Sequence, residues 1–191
     1  MREIIYFSRN ARTSGNFNDL MKAGRMDIVC HVIIACLFLS HKIRDNIHLH
    51  LIFNGPPNPP MHLEFVSNEN MPISKKDVAG LIKRMLYKYK KGRRIEAFEN
   101  CFIEKNSLIK VVEELAKTRN VYLLDRNGEN IRETEIKENP IFILGDHEGL
   151  PKKELKRIGK NAKKVSLGKV NYFSSQIITI LNNELDIRGI N

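Results

Sequence analysis

The sequence predicts an α/β fold in which a mainly parallel sheet is flanked by helices. Short apolar runs typical of strands alternate with helical segments, as expected when crossover helices connect parallel strands. Hydrophobic residues make up 42% of the 191 residues, which is enough for one core. No linker, repeat or low-complexity tract interrupts the pattern. We therefore expect a single domain over residues 1–191.

The first third of the chain predicts a strand, a helix and a strand pair. Glu3–Phe7 is β-branched and aromatic, which is typical of a buried strand, and a polar loop with room for one short helix follows it. The apolar run 28–43 predicts a helix with Asp27 as its N-cap. Ile47–Phe53 and Met61–Val66 predict two strands joined by a rigid proline loop.

The middle third predicts two helices and a strand. Ser74 is the expected N-cap of a helix that carries Asp77 in its first turn and ends at Gly92. Ser107–Lys117 has the apolar spacing of an amphipathic helix. Val121–Leu124 then predicts a strand, and the polar segment DRNGEN after it predicts a turn.

The last third repeats the order of a strand, a glycine-bearing loop and a helix. Ile141–Leu144 leads into GDHEG and a helix with Pro151 in its first turn, where proline is favoured. Lys163–Leu167 leads into GKVNYFS and a final helix capped by Ser174 or Ser175. Ligands of parallel α/β sheets bind beyond the carboxyl ends of the strands, so both loops are candidate binding loops.

The composition favours a polyanionic partner. The 32 Lys and Arg outnumber the 22 Asp and Glu, which gives a net charge of +10. Nine basic residues accompany one acidic residue from Lys75 to Arg94, and seven accompany one from Lys152 to Lys164, although such runs also occur on ordinary solvated helices. The most apolar stretch, Ile28–Leu39, is shorter than the roughly 20 residues of a membrane span, and no secretory signal is visible. We expect a cytoplasmic protein without a membrane partner.

The cysteines and histidines give no motif for a disulfide or a metal site. The three cysteines form no CxxC pair, and their number is odd. His48 and His50 alternate along one predicted strand and His62 lies on the next, without a nearby cysteine or carboxylate motif. We therefore interpret these histidines as partly exposed sheet residues and expect no metal.

The two glycine loops near the carboxyl terminus are the strongest indication of a ligand site. Loop 145–149 lacks the Walker and GxGxxG patterns, and by itself it is also typical of an ordinary strand-to-helix turn. Loop 167–174 enters a helix N-terminus, where exposed amides and hydroxyls suit the carboxylate or carbonyl groups of a cofactor. Two such loops on neighbouring strands predict a shared pocket.

Three segments resemble known methyltransferases. FILGDHEGLPKKEL and VSLGKVNYFSSQIITIL resemble the last two motifs of the SPOUT superfamily of S-adenosylmethionine-dependent RNA methyltransferases. SRNARTSGNFNDLMKAGRMDIVCHVI is similar to the archaeal tRNA pseudouridine-54 N1-methyltransferase family, TrmY. The resemblance covers nearly the whole chain. It implies a homodimer with a deep trefoil knot at its C-terminal end, S-adenosylmethionine as cofactor, and tRNA containing pseudouridine as partner.

The resemblance also implies which residues bind the cofactor. They follow the ends of three strands, and most of them hold the adenine through backbone groups. The implied set is Leu124, Gly145, Asp146, Gly149, Leu167, Gly168, Lys169, Val170, Asn171, Tyr172 and Ser174.

Methyl transfer requires orientation of the reactants more than a catalytic triad, and the sequence has no such triad. The weakly acidic N1–H of pseudouridine needs a proton acceptor, for which Asp19 and Asp146 are the candidates. Asp19 is equally typical of a helix cap, and Asp146 of a group that orients the ribose or the loop. An aromatic side chain is expected to stack on the extruded base, with Tyr6, Phe17 and Tyr172 as the alternatives.

The polar loop after the first strand is the candidate RNA-binding segment. Loop arginines beside a cofactor cleft can bind phosphates, and asparagines can bond the imide edges of the base, although asparagines in loops also serve turns. The candidates are Arg9, Asn10, Arg12, Asn18 and Arg25.

The sequence therefore predicts methylation of N1 of pseudouridine 54 in the T-loop of tRNA. One alternative is a SPOUT enzyme that acts on a ribosomal pseudouridine or on a ribose 2′-hydroxyl. Another is a basic RNA-binding protein without catalysis, which would use the segment Lys75–Arg94 as an electrostatic surface.

Overall fold

The strands form one mixed sheet in the computed structural model, which describes residues 1–68, 71 and 73–190. Within these residues the sheet has eight strands in the order β4-β5-β3-β2-β1-β7-β6-β8. The strands are β1 (Arg2–Ser8), β2 (Ile47–Phe53), β3 (Met61–Val66), β4 (Ile95–Phe98), β5 (Cys101–Glu104), β6 (Asn120–Asn130), β7 (Pro140–Gly145) and β8 (Lys163–Ser166).

The sheet has a parallel half and an antiparallel half. Strands β2, β1, β7, β6 and β8 run parallel to one another, so their carboxyl ends meet at one edge. Strands β3, β5 and β4 extend the sheet in antiparallel pairs. The predicted α/β class with a mainly parallel sheet is confirmed, and the parallel half provides the edge at which ligands of such sheets bind.

Helices cover both faces of the sheet and bury two hydrophobic cores. Helices α1 (Met26–Leu37), α2 (Val78–Lys88) and α5 (Ser174–Ile187) pack on one face. Helices α3 (Leu108–Leu115) and α4 (Lys152–Ile158) pack on the other. The strands of the parallel half therefore carry near-continuous apolar residues, as expected for a sheet covered on both sides.

Several helix boundaries differ from the prediction. Helix α1 begins at Met26, so Asp27 lies in its first turn rather than at the N-cap. It ends at Leu37, because Phe38 is extended and pairs with Ile43 across a short bridge. Helix α2 begins at Val78 because Ser74 is used in a preceding turn, in which its hydroxyl oxygen accepts the Lys76 N–H.

The caps of the later helices also test the prediction. The predicted helix Ser107–Lys117 is α3, and Ser107 is its N-cap, since its hydroxyl oxygen accepts the Lys110 N–H at 3.4 Å. Pro151 is the N-cap of α4 rather than a residue of its first turn. The prediction that Ser174 or Ser175 caps α5 is wrong, because the N-cap is Phe173, whose N–H donates to Gln176 Oε1.

The structure adds two strand features that the sequence did not predict. The hairpin β4–β5 follows α2 at the far edge of the antiparallel half. Strand β6 continues to Asn130, and both Leu124 and Glu129 pair with Val165 of β8. The Ile131 N–H also donates to the Ser166 carbonyl oxygen at 2.9 Å, so the segment after Leu124 wraps around the end of β8.

The structure shows where the cysteines and the sheet histidines lie. The three cysteines are free thiols inside the core. The interpretation of the sheet histidines as partly exposed is wrong for His50 and His62, which are buried beside carboxylates of other strands.

Among the described residues, none of the helices has the length and apolarity that a membrane crossing requires.

Candidate active site

A cavity of about 530 Å³ lies where the carboxyl ends of β7 and β8 meet the middle of β6, at the point after Leu124 where the register between β6 and β8 shifts. It is built mainly from residues 124–126 of β6 and from the loops that follow β7 and β8, with one wall from α1 and the start of α5. Its lining residues are Ile28, Leu124, Asp125, Arg126, Gly145, Asp146, His147, Val165, Ser166, Leu167, Gly168, Val170, Asn171, Tyr172, Phe173, Ser174 and Ile177.

Gly145 lets two parts of the β7 loop approach each other. A Cβ built on Gly145 would lie 2.6 Å from the carbonyl carbon of Gly149 and 2.8 Å from the Leu150 nitrogen. These neighbours are backbone atoms, so a larger side chain would displace the loop rather than a flexible group. The loop is closed further by the Gly149 N–H, which donates to the Asp146 carbonyl oxygen at 2.9 Å.

The loop after β8 is held from both sides of the cavity. Gly168 has a φ of 121°, which side-chain-bearing residues rarely adopt. The Ser166 hydroxyl oxygen accepts the Gly168 N–H at 3.1 Å, and the Ser174 hydroxyl donates to the Gly145 carbonyl oxygen at 3.3 Å. The last contact connects the start of α5 directly to the loop after β7.

The structure brings together nine of the eleven predicted cofactor residues in the lining of this cavity. Gly149 lies behind Gly145 and shapes the loop, and Lys169 is an exposed neighbour of the lining residues. The prediction missed Asp125 and Arg126, which follow Leu124 within β6, and also Ile28 and Ile177, which pack from the helices. Asp125 and Arg126 directly follow Leu124, which was predicted to end a strand at the cofactor site, so they could have been included. Their segment, DRNGEN, was interpreted only as a turn.

Asp146 connects the loop after β7 to the loop after β1. Its Oδ2 accepts the Arg9 N–H at 2.7 Å and the Ser8 hydroxyl at 3.4 Å, while its Oδ1 accepts the Glu148 N–H at 2.9 Å. The residue is only 8% exposed. A buried carboxylate that accepts two backbone N–H groups fixes the geometry of both loops.

The other two aspartates near the loops have different surroundings. Asp19 is exposed and lies outside the lining of the cavity; its Oδ1 accepts the Met21 and Lys22 N–H groups. Asp125 lies in the lining, where the Asn127 backbone N–H, helped by the Lys164 ammonium group, holds the pKa of its carboxyl below the usual range. Asp125 is therefore ionised at neutral pH and can accept hydrogen bonds.

The predicted RNA-binding residues divide into two groups. Arg9 and Asn10 contact the loop after β7: Arg9 Nε lies 3.2 Å from Glu148 Oε2, and Asn10 Nδ2 donates to Glu148 Oε1 at 2.8 Å. Arg12, Asn18 and Arg25 lie farther along the loop after β1. Arg25 precedes α1 with a φ of 62° and donates from Nε and Nη2 to the Asp27 carboxylate.

Burial separates the three aromatic candidates for base stacking. Tyr6 is fully buried and Phe17 nearly so, with Lys83 Nζ 4.8 Å from the Phe17 ring centroid, so the stacking prediction is wrong for both. Tyr172 lines the cavity and is 38% exposed. Burial, together with the neighbouring Asp146 carboxylate, raises the pKa of the Tyr6 hydroxyl above its ordinary value, so this group stays protonated.

Comparison with known proteins identifies the family. A family model described as "Putative SAM-dependent RNA methyltransferase" matches residues 1–190. The chain belongs to this family. Among curated relatives of this RNA methyltransferase, the tRNA (pseudouridine(54)-N(1))-methyltransferase of Methanococcoides burtonii is 34% identical over 97% of this chain and 96% of its own length. The protein of the same name from Pyrococcus abyssi is 32% identical over the full length of both chains. These relatives confirm the resemblance inferred from the sequence.

A solved structure supports the fold of this RNA methyltransferase. Nep1 of Archaeoglobus fulgidus, crystallised with S-adenosylhomocysteine, aligns with a TM-score of 0.60 at 19% identity, over 87% of this chain and 72% of its own. At that identity the similarity shows a shared fold.

The cavity fits the cofactor class in the family's description. Its volume lies within the roughly 300–1,000 Å³ of small-molecule sites. Ile28, Leu124 and Ile177 supply apolar walls for a planar base, while the loops present backbone polar groups and the ionised Asp125.

Proposed function

We propose that the protein methylates N1 of pseudouridine 54 in the T-loop of tRNA and uses S-adenosylmethionine as the methyl donor. Full-length relatives that carry this activity in their names support the proposal. The single structural observation that carries it is the cavity between the middle of β6 and the carboxyl ends of β7 and β8, in which nine predicted cofactor residues meet. Such an enzyme would act in the cytoplasm, where tRNA is modified.

The chemistry of the base accounts for the choice of nucleotide. When bound, S-adenosylmethionine supplies an electrophilic methyl group on a positively charged sulfur. Pseudouridine is joined to ribose through carbon, so its N1 carries a hydrogen and is free to form a bond to that methyl group. In uridine the same nitrogen is occupied by the glycosidic bond. The reaction therefore excludes the unmodified nucleotide without any protein contact.

We propose that the loop after β7 orients the donor and the loop after β1 presents the RNA. Asp146 connects these loops, and a carboxylate has about four lone-pair positions, of which Oδ1 uses one and Oδ2 two in the described contacts. The remaining position on Oδ1 can accept the N1 proton. Asp19 stays the alternative acceptor, although it lies outside the cavity lining.

We propose that Arg9, Arg12 and Arg25 bind phosphates beside the cavity, while Asn10 and Asn18 bond the base edges. The net charge of +10 supports a polyanionic substrate. Arg9 is now paired with Glu148, an exposed contact that a phosphate can replace because surface ion pairs contribute little free energy. Tyr172 is the proposed stacking partner of the extruded base.

We also propose that the chain forms a knotted homodimer. The wrapping of the segment after Leu124 around the end of β8 supports the knot. Val170, Tyr172 and Phe173 expose apolar surface beside the cavity, and such surface at the mouth of a site is suited to cover by a second copy.

Nucleoside mass spectrometry tests the proposed reaction. Transfer RNA and ribosomal RNA, each treated beforehand with a pseudouridine synthase, are incubated with the protein and S-adenosylmethionine. We expect N1-methylpseudouridine in tRNA, at position 54, and none in RNA that lacks pseudouridine. A methyl group on ribose, or modification of ribosomal RNA alone, would identify a different SPOUT activity. Binding of tRNA without any methyl transfer would favour the non-catalytic alternative.

A further inference from the structure

A group of histidines and carboxylates lies on the sheet near the amino ends of β1 and β2, at the opposite end of these strands from the cavity. The strand registers put all of them on one sheet face, and we call them the histidine–carboxylate cluster. Its members are Glu3, His48, His50, His62, Glu64 and Glu104. The proposed methyl transfer uses none of them, so their burial needs another explanation.

Four of these side chains form a row across the sheet. His62 Nδ1 lies 3.1 Å from Glu104 Oε1, and His62 Nε2 lies 3.0 Å from His50 Nδ1. At the other end of the row, His50 Nε2 lies 3.5 Å from Glu3 Oε2. Within the described residues these last two atoms are buried and have no hydrogen-bond partner, and the side chains of His50 and Glu3 are only 3% and 2% exposed.

The contacts in this row require one more N–H group than two neutral imidazole rings carry. Attractive contacts require an N–H toward each carboxylate and a third N–H between the two rings, but two neutral imidazoles carry only two. If His62 donates to Glu104 and His50 donates to His62, the lone pair of His50 Nε2 faces a carboxylate oxygen. A cation between these two atoms, either a proton or a metal ion, is required to remove that repulsion.

The 3.5 Å separation distinguishes the two cations. A proton shared in a charge-assisted N–H···O hydrogen bond draws its heavy atoms to about 2.7–2.9 Å. A tetrahedral zinc ion, with bonds of about 2.0–2.2 Å, holds neighbouring ligand atoms roughly 3.4 Å apart. The distance between His50 Nε2 and Glu3 Oε2 is close to the metal geometry, and a ligand atom of His48 lies within 4.8 Å of both side chains' ligand atoms.

We propose that Glu3, His48 and His50 form a binding site for a divalent transition metal, with Zn²⁺ as the preferred ion. One potential ligand atom from each of these three side chains lies within 4.8 Å of the other two. Two imidazole nitrogens and one carboxylate oxygen are a ligand set that zinc uses, with a fourth position left for water. His48 is partly exposed and gives the ion an entry path.

The neighbours of the three ligands support this assignment. Arg119 Nε donates to Glu3 Oε1 at 2.6 Å, which leaves Oε2 free for the ion. His62 occupies the second ring nitrogen of His50, as metal-binding histidines are usually held by an outer partner. The ion would join β1 to β2 far from the methyl-transfer chemistry and so serve stability.

Metal titration of the full chain tests the site. After removal of metals with a chelator, we expect one equivalent of Co²⁺ to bind with the visible absorption of tetrahedral cobalt, and Zn²⁺ to displace it. Glu3→Gln and His50→Gln should abolish stoichiometric binding. His62→Gln should weaken it about 10- to 100-fold, as removal of an outer-shell partner does. His41→Gln, a change of an exposed histidine outside the cluster, is the matched control and should bind as the unchanged chain does.

Thermal unfolding and circular dichroism distinguish a variant that has lost the metal site from one that is unfolded, and NMR distinguishes a metal ion from a proton. Zn²⁺ should raise the Tm of the unchanged chain and of His41→Gln, but not the Tm of Glu3→Gln, which retains the size of the side chain. Circular dichroism establishes that each variant is folded. Folded protein that binds no equivalent of Co²⁺ or Zn²⁺ would overturn the proposal. Imidazole nitrogen shifts that reveal a doubly protonated His50 in the chelated and the zinc-treated protein alike would also overturn it, in favour of the proton.

Discussion

The two ends of the parallel strands differ in the groups that surround them and in the size of ligand that they can bind. At the carboxyl ends, loops with glycines leave an open cavity lined by both apolar and polar residues. Near the amino ends, long polar side chains of neighbouring strands fill the space and contact one another. The open space between the loops can hold a ligand as large as a nucleoside. The side chains in the sheet contact one another directly and leave room for at most a small ion. The difference indicates that substrate specificity resides at the loop end.

The largest effect is expected for Gly145→Val, which tests whether the loop after β7 contacts the methyl donor. The added side chain would meet the backbone of Gly149 and Leu150, so the loop after β7 must move. We expect cofactor affinity to fall at least about 100-fold in isothermal titration with S-adenosylmethionine. Circular dichroism provides the control for folding. Unchanged affinity in a folded variant would mean that this loop does not contact the donor.

Asp146→Asn tests whether one carboxylate both connects the loops and accepts a proton. Loss of a positioned base costs about 10²–10⁴ in rate, and we expect kcat to fall by about 100-fold. Stability should fall by about 1–3 kcal/mol, because an amide has one acceptor oxygen for two backbone N–H groups. Asp19→Asn is the matched comparison and should change kcat less than threefold. The reverse order of the two effects would assign the proton to Asp19.

The Arg9→Ala, Arg12→Ala double variant tests the loop after β1 as the RNA surface. Two lost phosphate contacts should weaken tRNA binding about tenfold and lower the salt slope of log K by about 2. Affinity for S-adenosylmethionine should stay within twofold. Lys110→Ala with Lys117→Ala removes the same charge from exposed positions on α3 and just after it, and serves as the control. An equal loss in both double variants would indicate attraction by net charge alone.

A smaller effect is expected for Gly168→Ala. Its control is Gly92→Ala, at a glycine that also has a positive φ. Gly168 and Gly92 both have positive φ with open space where a Cβ would lie, so alanine strains both by about 1 kcal/mol. Only Gly168 lines the cavity. We expect cofactor affinity to fall about three- to tenfold for Gly168→Ala and to stay unchanged for Gly92→Ala. Similar affinities in both variants would remove the β8 loop from the donor site.

Local patterns predicted much of the fold. β2 and β3 have the bounds expected from their apolar runs, and the amphipathic spacing after Ser107 predicted α3. The hairpin β4–β5 was missed because its strands have only four residues each, of which one is a glutamate, and they lie next to a basic segment, which hides their alternation. The start of α2 was misplaced because Ser74 resembles an N-cap, while the turn at Lys76 delays the helix.

The site was predictable where it depends on glycines and less so where it depends on topology. The loops at 145–149 and 167–174 were identified from residues adjacent in sequence. Asp125 and Ile28 enter the cavity only because strand order brings their segments together. The burial of His50 was missed for the same reason, since its partners Glu3 and His62 belong to other strands.

The connection through Asp146 has a consequence for the order of events during turnover. The loop that would hold the methyl donor and the loop that would hold the RNA share one buried carboxylate, and Glu148 joins them a second time through Arg9 and Asn10. A ligand that rigidifies one loop therefore also prepares the other. Linkage then requires each ligand to raise the affinity for the other by the same factor. The free protein would hold either ligand loosely, and the ternary complex would be the cooperative species.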